Sequence, residues 1–365
     1  MTVSLQDPDV RRRRCGASPA GAAARLLAVL VATACLSGCY VLQAARGQMN
    51  LMAKRQPISE IIADPATSAA LRARLQYVSE ARDFASRELA LPDNDSYRSY
   101  ADIGRPYVVW NVFATDEFSV EPRRWCFPIA GCVVYRGYFS EEAAQRYAQR
   151  LSRRGADVTV EGVAAYSTLG HFRDPLLSTM MSWSDARLAG TLFHELAHQV
   201  LYVPGDSAFN EAFATVVEEV GLERWLGSNG RAHEFADWQV QRRRHAEFID
   251  LLLETRERLA ALYRLDLPPE EMRRRKQREF GRMKFEYVRL KERWNGYSGY
   301  DRWFDRALNN AHLVSAATYY ACLPGFRAKL AALGGDLPRF YEEVRELSKS
   351  ADARRALCAV SDEMS

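Results

Sequence analysis

Apolar positions along this chain recur first with helical spacing, then with strand spacing, then with helical spacing again. Over residues 40–91, Leu71, Leu75, Val78 and Ala81 fall three or four apart, which predicts helix with one buried face. The run Pro92-Asp93-Asn94-Asp95 interrupts it. Residues 106–139 change character. Tyr107, Val108, Val109, Trp110, Val112 and Phe113, then Val133, Val134, Tyr135, Tyr138 and Phe139, predict β-structure with turns. Ser140 stands where an N-cap is wanted for a helix over 141–154, and Gly155 where that helix can end. Residues 157–166 again read as strand, so this half is α+β.

From about residue 186 the spacing is helical throughout. Residues 234–264 and 269–294 predict two long helices joined at Pro268-Pro269, a third helical region covers 302–322, and two short helices follow Pro338. The exposed positions of the long pair are dense in charge, as in Arg273-Arg274-Arg275-Lys276. A basic run of this kind can meet lipid head groups or a partner. Interleaved with acids, as here, it reads more simply as a solvated helical face. There is no internal repeat and no low-complexity stretch.

The first 39 residues read as an export signal. Arg11 to Arg14 form a basic region, and Leu26 to Leu36 is an apolar run too short to span a bilayer. It ends in Leu36-Ser37-Gly38-Cys39, which resembles the bacterial lipobox. That resemblance implies cleavage before Cys39, lipidation of its thiol and a tether to the bacterial membrane; Tyr40 and Val41 in place of Asp point to the outer membrane, facing the periplasm. An uncleaved anchor or a plain secretory signal is the alternative.

Composition adds two limits. The 365 residues are 48% hydrophobic and carry a formal net charge of +4. Five arginines and two aspartates before residue 39 account for +3 of it, so the remainder is close to neutral and offers no electrostatic case for nucleic-acid binding. Of seven cysteines, Cys15 and Cys35 leave with the signal and Cys39 is acylated. Cys126, Cys132, Cys322 and Cys358 remain, an even number for an oxidising compartment. The closeness of Cys126 and Cys132 suggests a local disulfide. Cys322 and Cys358 pair by elimination or stay as two buried thiols.

The chemistry lies in Thr191-Leu192-Phe193-His194-Glu195-Leu196-Ala197-His198-Gln199. On a helix His194 and His198 project from one face and can bind one zinc ion, with Glu195 beside them, free to serve as a base. The alternative is two core histidines, which is unattractive because both rings would need other partners for their nitrogens. After Pro204-Gly205-Asp206 a second amphipathic helix begins, and Glu211 near its start can supply the third ligand; otherwise it is an acid favoured by the helix dipole.

His194 to Gln199, followed by Asn210-Glu211-Ala212-Phe213-Ala214 and Glu218, is similar to the zinc core of the gluzincin aminopeptidases, the alanyl-aminopeptidase and leukotriene-hydrolase group. The resemblance implies zinc held by His194, His198 and Glu211, with Glu195 as base and acid. It covers about 30 residues. The gap between His198 and Glu211 is shorter than in that group, and the Gly-x-Met-Glu-Asn segment that holds a free amino terminus there is absent. Over its length the chain resembles the proteobacterial lipoproteins called putative aminopeptidases. The likeness is carried by Tyr40-Val41-Leu42-Gln43, Gly131-Cys132-Val133-Val134-Tyr135-Arg136-Gly137-Tyr138-Phe139, Ala165-Tyr166-Ser167-Thr168-Leu169-Gly170 with Asp174-Pro175, and Leu308-Asn309-Asn310-Ala311.

The expectation is therefore an α+β, predominantly helical, zincin-like peptidase with a small N-terminal β-sheet region and a long C-terminal helical arm. Residues 1–38 are the signal peptide. Residues 39–365 are one metallopeptidase domain, with an α+β part at 39–185, zinc-site helices at 186–232 and a helical part at 233–365. Gluzincins often use a downstream Tyr or His to stabilise the oxyanion, which makes Tyr319, Tyr320 and His312 candidates. Thr215, Glu218 or Asp206 can hold a ligand imidazole in place. Residues 166–170 are a candidate edge strand for an extended peptide substrate. An aminopeptidase needs a carboxylate for the substrate amine, for which Glu161 and Glu218 are the candidates. The competing functions are an endopeptidase on the same site and a zinc-binding envelope lipoprotein without catalysis.

Overall fold

The structure, a computed structural model, describes residues 40, 42–127, 131–165, 167–168, 172–314 and 322–359. The chain divides into two units, 1–48 and 49–365. In the first, residues 40 and 42–48 are helical, and the signal segment with Cys39 lies outside the described residues. The second carries every strand and helix from Arg55 onward. Among the described residues no helix is long and apolar enough to cross a membrane.

The expected helix over 40–91 is interrupted. A short strand, β1 (Arg55–Pro57), separates the early helical residues from α1 (Ile58–Ala63) and α2 (Ala69–Glu88). Pro57 lacks an amide donor, and the residue before it is steered away from helix, so the helical ladder cannot run through it. Ser68 caps α2 by accepting from the Leu71 amide. The buried face of α2 carries Leu75, Val78, Ala81, Phe84 and Ala85, and also Arg82.

Arg82 is fully buried, and no carboxylate among the described residues bonds it. Its guanidinium instead donates to the carbonyls of Ser96 (3.0 Å), Pro92 (2.7 Å) and Asn94 (2.9 Å), and to Ser86 Oγ (2.6 Å). A buried cation is tolerated only when its donors are met, and here the turn after α2 meets them.

The central sheet is antiparallel. β3 (Val109–Asp116) lies between β6 (Arg136–Tyr138) and β7 (Ala156–Val163), reached after β2 (Ser99–Ala101) and a β4 (Trp125–Phe127)–β5 (Gly131–Val133) hairpin. α3 (Glu141–Ser152) packs on this sheet between β6 and β7 in sequence, as expected, with Ser140 accepting from the Ala143 amide and Gly155 at φ +80°. A small separate sheet joins β1, β2 and β8 (Leu176–Leu177). Cys126 and Cys132 sit opposite each other in the hairpin and are disulfide-bonded.

The helical half comprises α4 (Asp185–Val200), α5 (Ser207–Ser228), α6 (Ala232–Leu262), α7 (Pro269–Arg293), α8 (Asp301–Phe304), α9 (Asn310–Val314), α10 (Leu323–Ala332), α11 (Leu337–Ser348) and α12 (Ala351–Cys358). α6 and α7 are the two long helices, and they pack together around Phe248, Leu252, Phe280, Met283 and Tyr287. Their charges are paired with acids, as the interleaving suggested, but the run is not a solvated face throughout, because Lys276 is buried. Arg273 bonds Glu117 and Glu270, Arg275 bonds Glu271, and Lys276 reaches Asp157 of β7 at 2.6 Å. The run thus fastens α7 to the sheet.

Cys322 and Cys358 are also disulfide-bonded, so pairing rather than two buried thiols is found. The bond ties the start of α10 to the end of α12. Gly325 permits the same contact, because a Cβ there would meet the backbone carbonyl of Leu357.

Candidate metal centre

The core beneath the site forms because α4 and α5 each bury one continuous face. On α4 these are Leu188, Ala189, Leu192, Phe193, Leu196 and Ala197; on α5 they are Phe209, Ala212, Phe213, Val216 and Val217. Ser184 caps α4 by accepting from the Arg187 amide. Asp206 caps α5 by accepting from the Phe209 amide. Two glycines let helices or side chains approach closely. A Cβ at Gly221 would come within 2.7 Å of Leu89 and 2.9 Å of Phe193, and one at Gly190 within 3.2 Å of the Glu218 carboxylate.

The connection between α4 and α5 is short, and Asn210 holds it. Its side chain accepts from the Val203 amide and donates to the Val203 carbonyl, both at 2.8 Å. This two-point clamp turns the chain back so that Glu211 faces the histidines in spite of the reduced spacing.

The three sequence-derived ligands converge. His194, His198 and Glu211 offer atoms that all lie within 4.8 Å of one another. His194 Nε2 is 3.1 Å from His198 Nε2 and 3.3 Å from Glu211 Oε2, and His198 Nε2 is 3.7 Å from Glu211 Oε1. Two ring nitrogens and a carboxylate this close together could hold a metal ion. The second nitrogen of His194, Nδ1, lies 3.1 Å from Glu218 Oε2. A proton on Nδ1 shared with that carboxylate leaves Nε2 free to ligate. Of the three residues considered for this support, Glu218 provides it. Asp206 is engaged as the α5 cap and in an ion pair with Arg354, and Thr215 is buried on α5. Among the described residues, His198 Nδ1 is buried without a hydrogen-bond partner.

Charge in the site is finely opposed. Burial alone lowers the His194 imidazole, but Glu211 and Glu218 hydrogen-bonded to it outweigh this and hold it up at about 10. Burial and the neighbouring His194 push His198 down to about 4. Burial pushes Glu195 up to about 7, against the opposing pull of His194. A carboxyl group that can hold or release a proton near neutrality suits general acid–base work.

The other expectations fare differently. Tyr319 and Tyr320 lie outside the described residues. His312, on α9, is buried beside Asn309, whose Oδ1 is 3.0 Å from His312 Nδ1, and its ring packs edge-on against Trp303. It adjoins β7 with Arg306. Of the stretch expected to form an edge strand, the described Ser167 and Thr168 are in a loop, not a strand. Both bond the buried Asp174, Thr168 through its amide and hydroxyl at 2.8 Å. Glu161 is ion-paired to Arg306 at 2.6 Å, and Glu218 is committed to His194, so neither candidate for the substrate amine is free for it.

Tyr202, Tyr97 and Asp174 were not placed near the site from the sequence, and Ser167 was placed there only as part of an edge strand. Tyr202, exposed just after α4, sets its ring edge-on to His198 at 6.5 Å. Glu195 feels the charge of Asp174 and a hydrogen bond from Ser167, and its own charge reaches Tyr97. The one signal for Asp174 was the segment that carried the whole-chain resemblance. No curated protein and no solved structure matches the chain. One family model does, described as "Putative aminopeptidase", and the match runs over residues 39–358, nearly the whole length. The chain belongs to that aminopeptidase family.

Proposed function

We propose that the protein is a zinc-dependent peptidase of the gluzincin type, acting as an aminopeptidase. The observation that carries this is the convergence of His194, His198 and Glu211 with Glu195 beside them and Glu218 behind His194. A zinc-binding protein without catalysis has no need of a Glu195 set into the site with its proton affinity raised. The fold supports the reading in outline: a helical half built on α4 and α5, next to a small α+β part, as expected of a zincin-like chain.

Zinc, when bound by these three residues, supplies Lewis acidity toward water and the scissile carbonyl. Glu195 takes the proton of the attacking water and passes it to the departing amine. Glu218 holds the Nδ1 side of the His194 ring, leaving Nε2 free to ligate. Tyr202 sets its ring edge-on to His198.

Endopeptidase activity on the same site is the second reading, and a specific observation favours it. Both carboxylates considered for the substrate amine are occupied, by Arg306 and by His194. Burying a charged amine without a partner is costly, so an aminopeptidase must present another acid. Comparing one peptide with a free and an acetylated amino terminus decides between the two. Recognition of the amine makes acetylation slow cleavage at least tenfold, about 1.4 kcal/mol. Equal rates move the assignment to endopeptidase and leave the zinc chemistry in place.

The membrane tether belongs to the same proposal, through a lipid on Cys39. Cys39→Ser is expected to release the protein from membranes into the soluble fraction. Persistence of that variant in carbonate-washed membranes points to an uncleaved anchor instead.

A further inference from the structure

Positive charge in the chain after the signal segment is gathered on one helix. α7 carries ten basic and five acidic residues, a surplus of five, whereas the chain from residue 39 onward has a surplus of one. The rest of that stretch is therefore negative by four. Within α7 the signs are also sorted by depth. Glu271, Glu279 and Glu286 lie at its inner edge, each about a quarter exposed, and Arg258 of α6 claims Glu279 and Glu286. Glu271 is shared by Arg274, Arg275 and Arg278, and Arg289 has no ion pair among the described residues. The exposed acids of α7, Glu270 and Glu292, stand at its two ends. Between them the outer side holds more positive charge than its neighbours can cancel.

That outer side is regular. Arg274, Arg278, Arg282, Phe285 and Arg289 follow at steps of four, four, three and four, so they line one side of the helix over roughly 22 Å. Val288 stands next to Arg289 and one turn from Phe285. Phe285 is 65% exposed and Val288 50%. A lone exposed apolar side chain is ordinary. Two of them a turn apart, set into a row of arginines, fit a surface that is both anionic and apolar. A bilayer of anionic phospholipid is such a surface. Guanidinium groups pair with its phosphates, and apolar side chains among them enter the boundary between head groups and acyl chains. A soluble polyanion meets the arginines equally well and leaves Phe285 and Val288 in water.

We propose that this side of α7 docks the protein on an anionic phospholipid surface. The contact needs neither the peptidase reading nor the lipid on Cys39. A few arginines and two apolar side chains give weak, salt-sensitive binding that does not hold a protein on a membrane by itself. Cys39→Ser is therefore still expected to leave the membrane fraction. In the tethered protein the same contact acts at high local concentration and fixes which side of the helical half faces the lipid.

The test is arginine footprinting of the full-length protein, incorporated from detergent into vesicles of phosphatidylcholine alone or with about a third phosphatidylglycerol. Phenylglyoxal modifies accessible arginines, and mass spectrometry gives a rate for each. Arg278, Arg282 and Arg289 are expected to react at least tenfold more slowly in the anionic vesicles. Arg355 of α12, 72% exposed, is the reference and should change less than twofold. Equal rates on α7 in the two vesicles overturn the inference, and so does a slowing that Arg355 shares in full. Phe285→Ser combined with Val288→Ser keeps every charge. That variant is expected to lose at least half of the protection at an unchanged thermal midpoint. Full protection without the two apolar side chains leaves charge alone at work, and reassigns the face to a soluble polyanion. Should the variant unfold, the parent's footprint alone decides the docking.

Discussion

Glu195→Gln is expected to abolish all but a trace of peptidase activity, about 10³-fold in kcat or some 4 kcal/mol of barrier, while zinc stays bound. The amide has nearly the shape of the carboxyl group, so the packing of α4 is undisturbed. It cannot accept the proton of the attacking water. The ligand atoms are elsewhere, on His194, His198 and Glu211, and the Glu218 support of His194 is untouched. Zinc analysis and steady-state rates on one preparation check both halves. Parent-level hydrolysis by the variant removes Glu195 from the mechanism, whatever the metal content. Loss of zinc together with activity assigns the residue to the ligand set instead.

His194→Ala and His198→Ala are expected to lose stoichiometric zinc. Each removes one of three protein donors, and loss of even a supporting second partner weakens metal sites by roughly 10- to 100-fold. Glu218→Gln provides the scale. It keeps all three donors and loses only the charged acceptor for His194 Nδ1, so its affinity falls within that smaller range. Zinc titration of the metal-free proteins orders the three variants. Full zinc retention in both histidine variants sinks the ligand assignment. The variants should remain folded, because the Asn210 clamp and the apolar faces of α4 and α5 hold the helix pair without help from a metal.

The parts of the structure that were legible beforehand are those set by near neighbours in the chain. The Ser140 cap and Gly155 stop bound α3 within two residues of expectation, and Pro268-Pro269 separated the long helices where α6 and α7 meet. His194, His198 and Glu211 were readable because helical spacing alone puts the histidines on one face and a short turn brings back the acid. Cys126 and Cys132 paired for the same reason, six residues apart across a hairpin. What stayed hidden depends on distant segments. Tyr97, Ser167, Asp174 and Glu195 come from three stretches of chain that only the packed fold unites. Glu161 looked available because nothing local predicts that Arg306, 145 residues away, would claim it. The described part of the expected edge strand, Ser167 and Thr168, is a loop, where the Thr168 amide goes to Asp174 instead of to a neighbouring strand.

Arg82 has a consequence for how this region can change over generations. Three of the bonds its guanidinium makes to the turn end on main-chain carbonyls, those of Pro92, Asn94 and Ser96. Every residue type carries such a carbonyl, so this part of the grip reads the path of the turn and not its side chains. Apart from Asn94, whose side chain also braces the turn, the grip on its path comes from position 82, where the separate nitrogens of an arginine reach acceptors that one lysine ammonium could not span. The constraint on this turn is thus written in large part on the preceding helix, in one arginine.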